Sequence, residues 1–167
     1  MEDGWQAVAA VVRQEFSDIP DLAEVTRIVL RLGIAALLGG ILGLQRETQG
    51  KAAGVRTHML VSMGAALFVL LPLQTGATPA DISRVVQGLV AGVGFLGAGT
   101  ILKTSDDTRV HGLTTAAGIW LTAAIGMAAG LGREATAVLS TLLALAVLSL
   151  EPFFHALADR LRRDRKP

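Results

Sequence analysis

Arg46, Glu47, Lys51, Arg56 and His58 fall within the stretch GLQRETQGKAAGVRTH, residues 43–58, whose flanks are strongly apolar. Charged groups set so close to an apolar medium are suited to particular chemistry. A carboxylate paired with a guanidinium or imidazole in a water-shielded region locks one arrangement of helix ends, because losing either partner leaves the other to bear its desolvation cost. An imidazole also titrates near neutral pH and can carry a proton. The plainer alternative is a wet hairpin elbow whose Lys and Arg simply reach back to water. Glu47 argues for the lock. A carboxylate directly after an apolar helix sits at the end whose dipole disfavours anions, and it is better held if Arg46, Arg56 or His58 supplies a partner.

A second stretch repeats the pattern. GGILGLQRE leads into AGVRTHMLV, and GFLGAGTILK leads into VHGLTTAAGI. Each passes from a glycine-rich helix end through a charged loop to a Gly, a Thr and a new apolar helix. Two copies of a helical hairpin in the same orientation would explain the likeness. Arg56, Thr57 and His58 would then approach Thr114 and Thr115, with His111 on the same side.

Other chemistry finds little support. Magnesium favours hard oxygen ligands, usually one or two carboxylates with retained waters. No apolar stretch carries Asp or Glu in its middle, while Asp106, Asp107 and Asp81 fall in connecting segments. GVGFLG, residues 92–97, matches the dinucleotide-binding spacing but lies within an apolar stretch rather than between a strand and a helix. Neither a cofactor nor a metal site is expected, nor a nucleic-acid partner. The absence of Ser-His-Asp order, paired catalytic carboxylates or a phosphate loop points away from an enzyme.

The elements that position these groups are helices in lipid. The 167-residue chain is 51% hydrophobic but only 4% aromatic, with 19 Gly. Aliphatic residues interleaved with small ones suit helices packed closely in a bilayer. A span needs about 20 mostly apolar residues, and five stretches qualify: 28–44, 59–73, 85–102, 112–131 and 135–154, the second and fifth short or interrupted near their ends. The expected fold is an all-α, five-helix membrane bundle over residues 28–154. Residues 1–27 precede it outside the membrane and 155–167 follow as a basic tail. Gly39 and Gly43, Gly88 and Gly92, and Gly126 and Gly130 form three G-x-x-x-G pairs suited to tight helix contact. Gly92, Gly94, Gly97 and Gly99 either pack a helix closely or loosen it into a break that lines a cavity. These small-residue faces make a homo-oligomer the expected state.

Charge placement sets the orientation. Ten Lys and Arg (Arg46, Lys51, Arg56, Lys103, Arg109, Arg160, Arg162, Arg163, Arg165 and Lys166) gather on one side, against Arg13, Arg27, Arg84 and Arg133 on the other. Basic residues near span ends resist translocation, so the amino terminus is expected outside and the carboxyl terminus in the cytosol. Six acids among residues 1–27 exclude a basic leader there. Trp5, Val8, Val12 and Phe16 fall on one helical face, which fits a helix lying on the membrane surface or a loose tail. Asp21 and Glu24 read as a helix start whose carboxylates serve the first amides. Arg31 is either an interfacial anchor or an interhelical partner. The absence of Cys excludes disulfides and thiol chemistry.

The blocks RE, AGVRTHMLVSMGAALF, GVGFLGAGTI and VHGLTTAAGIWLTAAIG, in that order over residues 33 to about 150, resemble the MgtC/SapB family of bacterial inner-membrane proteins. By resemblance, Arg46, Glu47, Gly54, Arg56, Thr57 and His58 fall in the family's first signature, Gly92 to Gly99 in its second and Gly112 to Trp120 in its third. The resemblance implies a multi-pass inner-membrane protein that serves adaptation to magnesium limitation, acid or life inside host cells. It also implies intramembrane contact with a partner such as the F-type ATP synthase, which some members restrain, with magnesium or small-ion transport as the alternative. Those members carry a carboxyl-terminal ACT-type domain. Here only Pro152 to Pro167 follow the last apolar residues, so the chain is more similar to the short, SapB-type branch.

Overall fold

The computed structural model describes residues 2–15, 17, 21–103 and 110–150. It is all-helical apart from one minimal hairpin: α1 (Glu2–Glu15), α2 (Leu22–Thr48), α3 (Val55–Gln74), α4 (Pro79–Ala98), β1 (Leu102–Lys103), β2 (Val110–His111), α5 (Leu113–Gly130) and α6 (Glu134–Ser149). The chain divides into two compact units, Met1–Leu30 and Arg31–Pro167.

In the first unit, α1 leaves Trp5, Val8, Val11 and Val12 exposed, so the apolar face expected from the sequence is helical and uncovered. Phe16, assigned to the same face, lies outside the described residues. At the start of α2, Asp21 Oδ1 accepts the Glu24 amide hydrogen bond at 2.8 Å. The Glu24 carboxylate also pairs with Arg27 one turn on.

The second unit is organised around α3 and α5. Gly126 lies against the backbone of Ser62, and Gly130 against the backbone of Ala66. Both partners advance by four residues together, so the two helices run parallel. α2 runs antiparallel to α3, because Gly39 meets His58 and Ser62 while Gly43 meets Gly54 and Val55. Without Cβ atoms at these four glycines, main chains approach closely and gain dispersion contact. Residues from both core clusters lie on α5: Ile125 and Ala129 join Ala35, Leu38 and Ala137, while Ile119 and Ala123 join Ala65 and Val93.

The distribution of residue sizes is inverted relative to a water-soluble core. Much of the interior is Ala, Gly, Ser and Thr, whereas Leu60, Phe68, Phe95, Leu143 and Val147 are at least 60% exposed. That arrangement suits an apolar solvent, in which large aliphatic side chains lose nothing by facing outward and small ones let helices meet. Three helices, α2, α3 and α5, are long and apolar enough to cross a membrane. The other two expected spans are shorter. α4 begins with the polar turn Pro79–Arg84, capped by Thr78 and Asp81, so its apolar part, residues 85–98, is about 21 Å long at 1.5 Å per residue. The helix stops at Ala98, and Leu102, expected within this span, instead belongs to β1. Apolar α6 has 16 residues, and its expected continuation to Phe154 lies outside the described residues.

No break interrupts α4, which runs through Gly88, Gly92 and Gly94 to Ala98. The hairpin pairs Leu102 with His111 and Lys103 with Val110. The residues that join its strands, including Asp106, Asp107 and Arg109, lie outside the described residues, as does the basic tail. Gly112 follows at a φ of 91°, in the left-handed region, with the Thr100 carbonyl where a side chain would stand. Only glycine meets both demands without strain.

Candidate functional site

The turn between α2 and α3 brings three polar groups to the start of α3. Gly54 occupies the N-cap position and offers no side chain to the first amides of α3. Glu47, at the end of α2, fills that role: its Oε2 accepts the Val55 amide at 2.9 Å. The carboxylate occupies the space that a Cβ on Gly54 would need. Glu47 is therefore held where it is favoured, at the positive end of the α3 dipole, which offsets its position at the disfavoured end of α2. This corrects the side-chain lock expected from the sequence. The partner the structure gives Glu47 is backbone.

Arg46 and His58 are each 1% exposed and come together across the α2–α3 turn. His58 Nδ1 lies 2.9 Å from the Gly54 carbonyl, which can only accept, so Nδ1 carries the hydrogen. Nε2 is left facing Gly118 of α5. Arg46 Nη1 donates to Gln49 Oε1 at 3.2 Å. Arg56 and Thr57, grouped with these residues by the sequence, are exposed instead.

Arg46 and His58 line one end of a cavity of about 380 Å³ between α2, α5 and α6. Thr114 stands at the same end and Thr122 further along, and the remaining walls are chiefly aliphatic. The expected approach of His58 to the Thr114 region is thus present, consistent with parallel α3 and α5. Thr115 is buried and His111 is exposed on β2. Sequence reasoning missed Ser62 and Thr122, which are fully buried and whose hydroxyls have no hydrogen-bond partner among the described residues. Their signal was present as lone hydroxyls inside apolar stretches, which in lipid call for an explanation.

The glycines divide into two groups. Gly39, Gly43, Gly126 and Gly130 are pressed against neighbouring backbone, whereas Gly88, Gly92 and Gly94 face open space. A Cβ added at Gly97 would stand in ordinary contact with Ala116 at 3.5 Å, and Gly99 lies near the carbonyls of Phe95 and Leu96 as the C-cap of α4. A groove beside the open glycines is lined by Phe68, Val85, Leu89 and Leu96. Among the described residues, no group of three His, Cys, Asp or Glu converges as a metal site would require.

Further toward the start of α2, Arg31 Nη1 donates to the Gly130 carbonyl at 3.0 Å, and its Nε lies 4.0 Å from Glu134. Its guanidinium packs over Gly132, whose φ of 73° suits glycine. Arg31 therefore serves as an interhelical partner at the C-terminus of α5, the alternative of the two sequence expectations.

Membrane-length apolar helices, an interior of small residues and buried polar groups at the helix ends define a helical protein of membrane type. The chain belongs to the MgtC family, whose sequence profile matches residues 32–157. It is 46% identical over 130 residues to Protein SrpB of Synechococcus elongatus, covering 71% of each chain. Over 140 residues it is 41% identical to the Putative magnesium transporter YhiD of Escherichia coli K12, covering 80% of this chain and 63% of that one. Over 117 residues it is 40% identical to Protein MgtC of Salmonella typhimurium, covering 70% of this chain and 49% of that one. The chain thus spans about two thirds of YhiD and half of MgtC. No solved structure matches it.

Proposed function

We propose that this protein is a five-span bacterial inner-membrane protein that modulates magnesium-linked ion or energy homeostasis through intramembrane contact with a partner. In this reading α2 to α6 are the spans, the carboxyl terminus is cytosolic, and the Arg46–Glu47 turn lies at the cytosolic edge. Family membership supports the link to magnesium. The observation that carries the contact reading is the α4 face. A Cβ added at Gly88, Gly92 or Gly94 would meet no atom of the described residues within 4 Å, and the apolar groove beside them has the form that accepts another helix. A second copy of the chain, or a larger membrane complex such as the F-type ATP synthase, is the partner class. No catalytic step is proposed.

Transport of magnesium or another small ion is the second reading. It is favoured by the likeness to the Putative magnesium transporter YhiD and by the buried hydroxyls of Ser62 and Thr122 on neighbouring helices. Reconstitution in liposomes separates the two. Selective magnesium flux that is lost in Glu47→Gln or Gly97→Leu overturns modulation, whereas absence of flux together with a partner retained through Gly92 overturns transport.

A further inference from the structure

The cavity between α2, α5 and α6 holds two buried, uncharged polar groups that make no hydrogen bond among the described residues. One is the Nε2 atom of His58. With the ring's hydrogen on Nδ1, bound to the Gly54 carbonyl, Nε2 of the neutral imidazole is a lone-pair acceptor. It faces α5, 3.8 Å from where a Cβ on Gly118 would stand. The other is the hydroxyl of Thr122, which is fully buried and unpartnered. Gly118 and Thr122 line the cavity on successive turns of α5, where positions four apart on one face are about 5–6 Å from each other. Arg46, at the same end, is engaged with Gln49. Ala117, Leu143 and Val147 line the cavity and are also exposed, so it opens sideways onto the surrounding medium.

From this geometry we propose that the cavity binds the head of a membrane quinol. One ring hydroxyl donates to His58 Nε2, the other meets the Thr122 hydroxyl, and the tail leaves through the side opening. The lone pair selects the occupant, because it requires a hydrogen donor, and an ionised phosphate or carboxylate has no hydrogen to give. An acyl chain would fill the walls and leave both polar groups unmet in an apolar surrounding. Water would serve those two groups but find no further partner along the aliphatic walls. A quinol ring carries its two oxygens on opposite edges, as polar groups on successive helical turns require, and presents apolar faces to Leu42 and Leu121. Gly118 has no side chain to exclude the ring. The cavity volume of about 380 Å³ lies within the ~300–1,000 Å³ of small-molecule sites. The inference rests on the membrane-spanning reading and adds a ligand to it, with no electron transfer at the site.

Titration of the full chain in lipid nanodiscs with a decyl-tailed benzoquinol, under anaerobic conditions and with empty nanodiscs as background, tests the site. The wild type is expected to bind one quinol per chain, about tenfold more tightly than the corresponding quinone, which has no hydrogen for His58 Nε2. Thr122→Val weakens quinol binding about threefold to tenfold, the size of one neutral hydrogen bond. The same variant keeps or raises the thermal midpoint without ligand, since this hydroxyl has no internal bond to lose. Gly118→Leu fills the space beside His58 and abolishes saturable binding of both forms. Equal affinity for quinol and quinone, unchanged binding in Thr122→Val, or saturable binding that survives Gly118→Leu overturns the proposal. So does dioleoylglycerol that competes as well as the quinol itself, because a lone hydroxyl would then suffice. If Gly118→Leu does not fold, the quinol-to-quinone ratio and Thr122→Val decide it. A chain that is monodisperse in buffer without detergent overturns the membrane reading first, before any quinol is added.

Discussion

Glu47 and Gly54 share one space: the carboxylate that accepts the Val55 amide stands where a Gly54 side chain would be. The two residues act as a divided cap, one supplying the acceptor and the other the room for it. Gly54→Ala is therefore expected to displace Glu47 and cost about 1–2 kcal/mol, the size of a lost helix cap. Glu47→Gln keeps a carbonyl acceptor and loses chiefly the charge–dipole part, about 0.3–1 kcal/mol. Thermal unfolding in detergent reads both. A Gly54→Ala midpoint equal to the wild type refutes the shared cap.

The two groups of glycines separate intramolecular packing from open surface. Gly126→Ala drives a methyl into the Ser62 backbone and is expected to destabilise the chain by about 1–3 kcal/mol. Gly88→Ala and Gly92→Ala meet nothing among the described residues and should stay within about 0.5 kcal/mol of wild type. If those two weaken self-association on size-exclusion chromatography with unchanged unfolding, the α4 face is the contact surface. Equal destabilisation in all three variants sinks the distinction.

Because the chain has no cysteine, single introduced thiols report topology without background. Arg56 and Thr75 are exposed and stand at opposite ends of α3. In intact cells a membrane-impermeant maleimide is expected to label Thr75→Cys and spare Arg56→Cys until the membrane is opened. The reverse pattern inverts the proposed orientation.

Arg31 serves two partners of unequal worth. Its bond to the Gly130 carbonyl neutralises the negative end of α5, and Arg31→Gln is expected to cost about 1–2 kcal/mol. The pair with Glu134 is long and partly exposed, so a double-mutant cycle with Glu134→Gln should give a coupling of at most about 0.5 kcal/mol. A coupling several times larger would make the ion pair, rather than the carbonyl bond, the main interaction at this end.

Much of the fold was legible because it rests on patterns of residue size. The spacing of Gly39 with Gly43 and of Gly126 with Gly130 announced close helix contacts, and the structure makes them. The same spacing at Gly88 and Gly92 gives no internal contact, since spacing cannot say whether the partner lies inside the chain. The likeness of the two hairpins anticipated His58 near Thr114, a consequence of parallel α3 and α5. The partner of Glu47 was not legible. Side chains announce themselves in a sequence, but the backbone amide that receives this carboxylate is present at every residue except proline. For the same reason the choice for Arg31 between anchor and interhelical partner stayed open, because its acceptor is a main-chain carbonyl 99 residues away.

Parallel neighbours such as α3 and α5 set like dipole ends side by side, and α2 is the element that answers both. Its Glu47 meets the amide end of α3 and its Arg31 meets the carbonyl end of α5, sixteen residues or about 24 Å apart along a single rod. A rod fastened at both ends cannot slide by a fraction of a turn without releasing one fastening. Tension applied where Arg31 is attached is therefore passed along its length to the place where Glu47 holds α3.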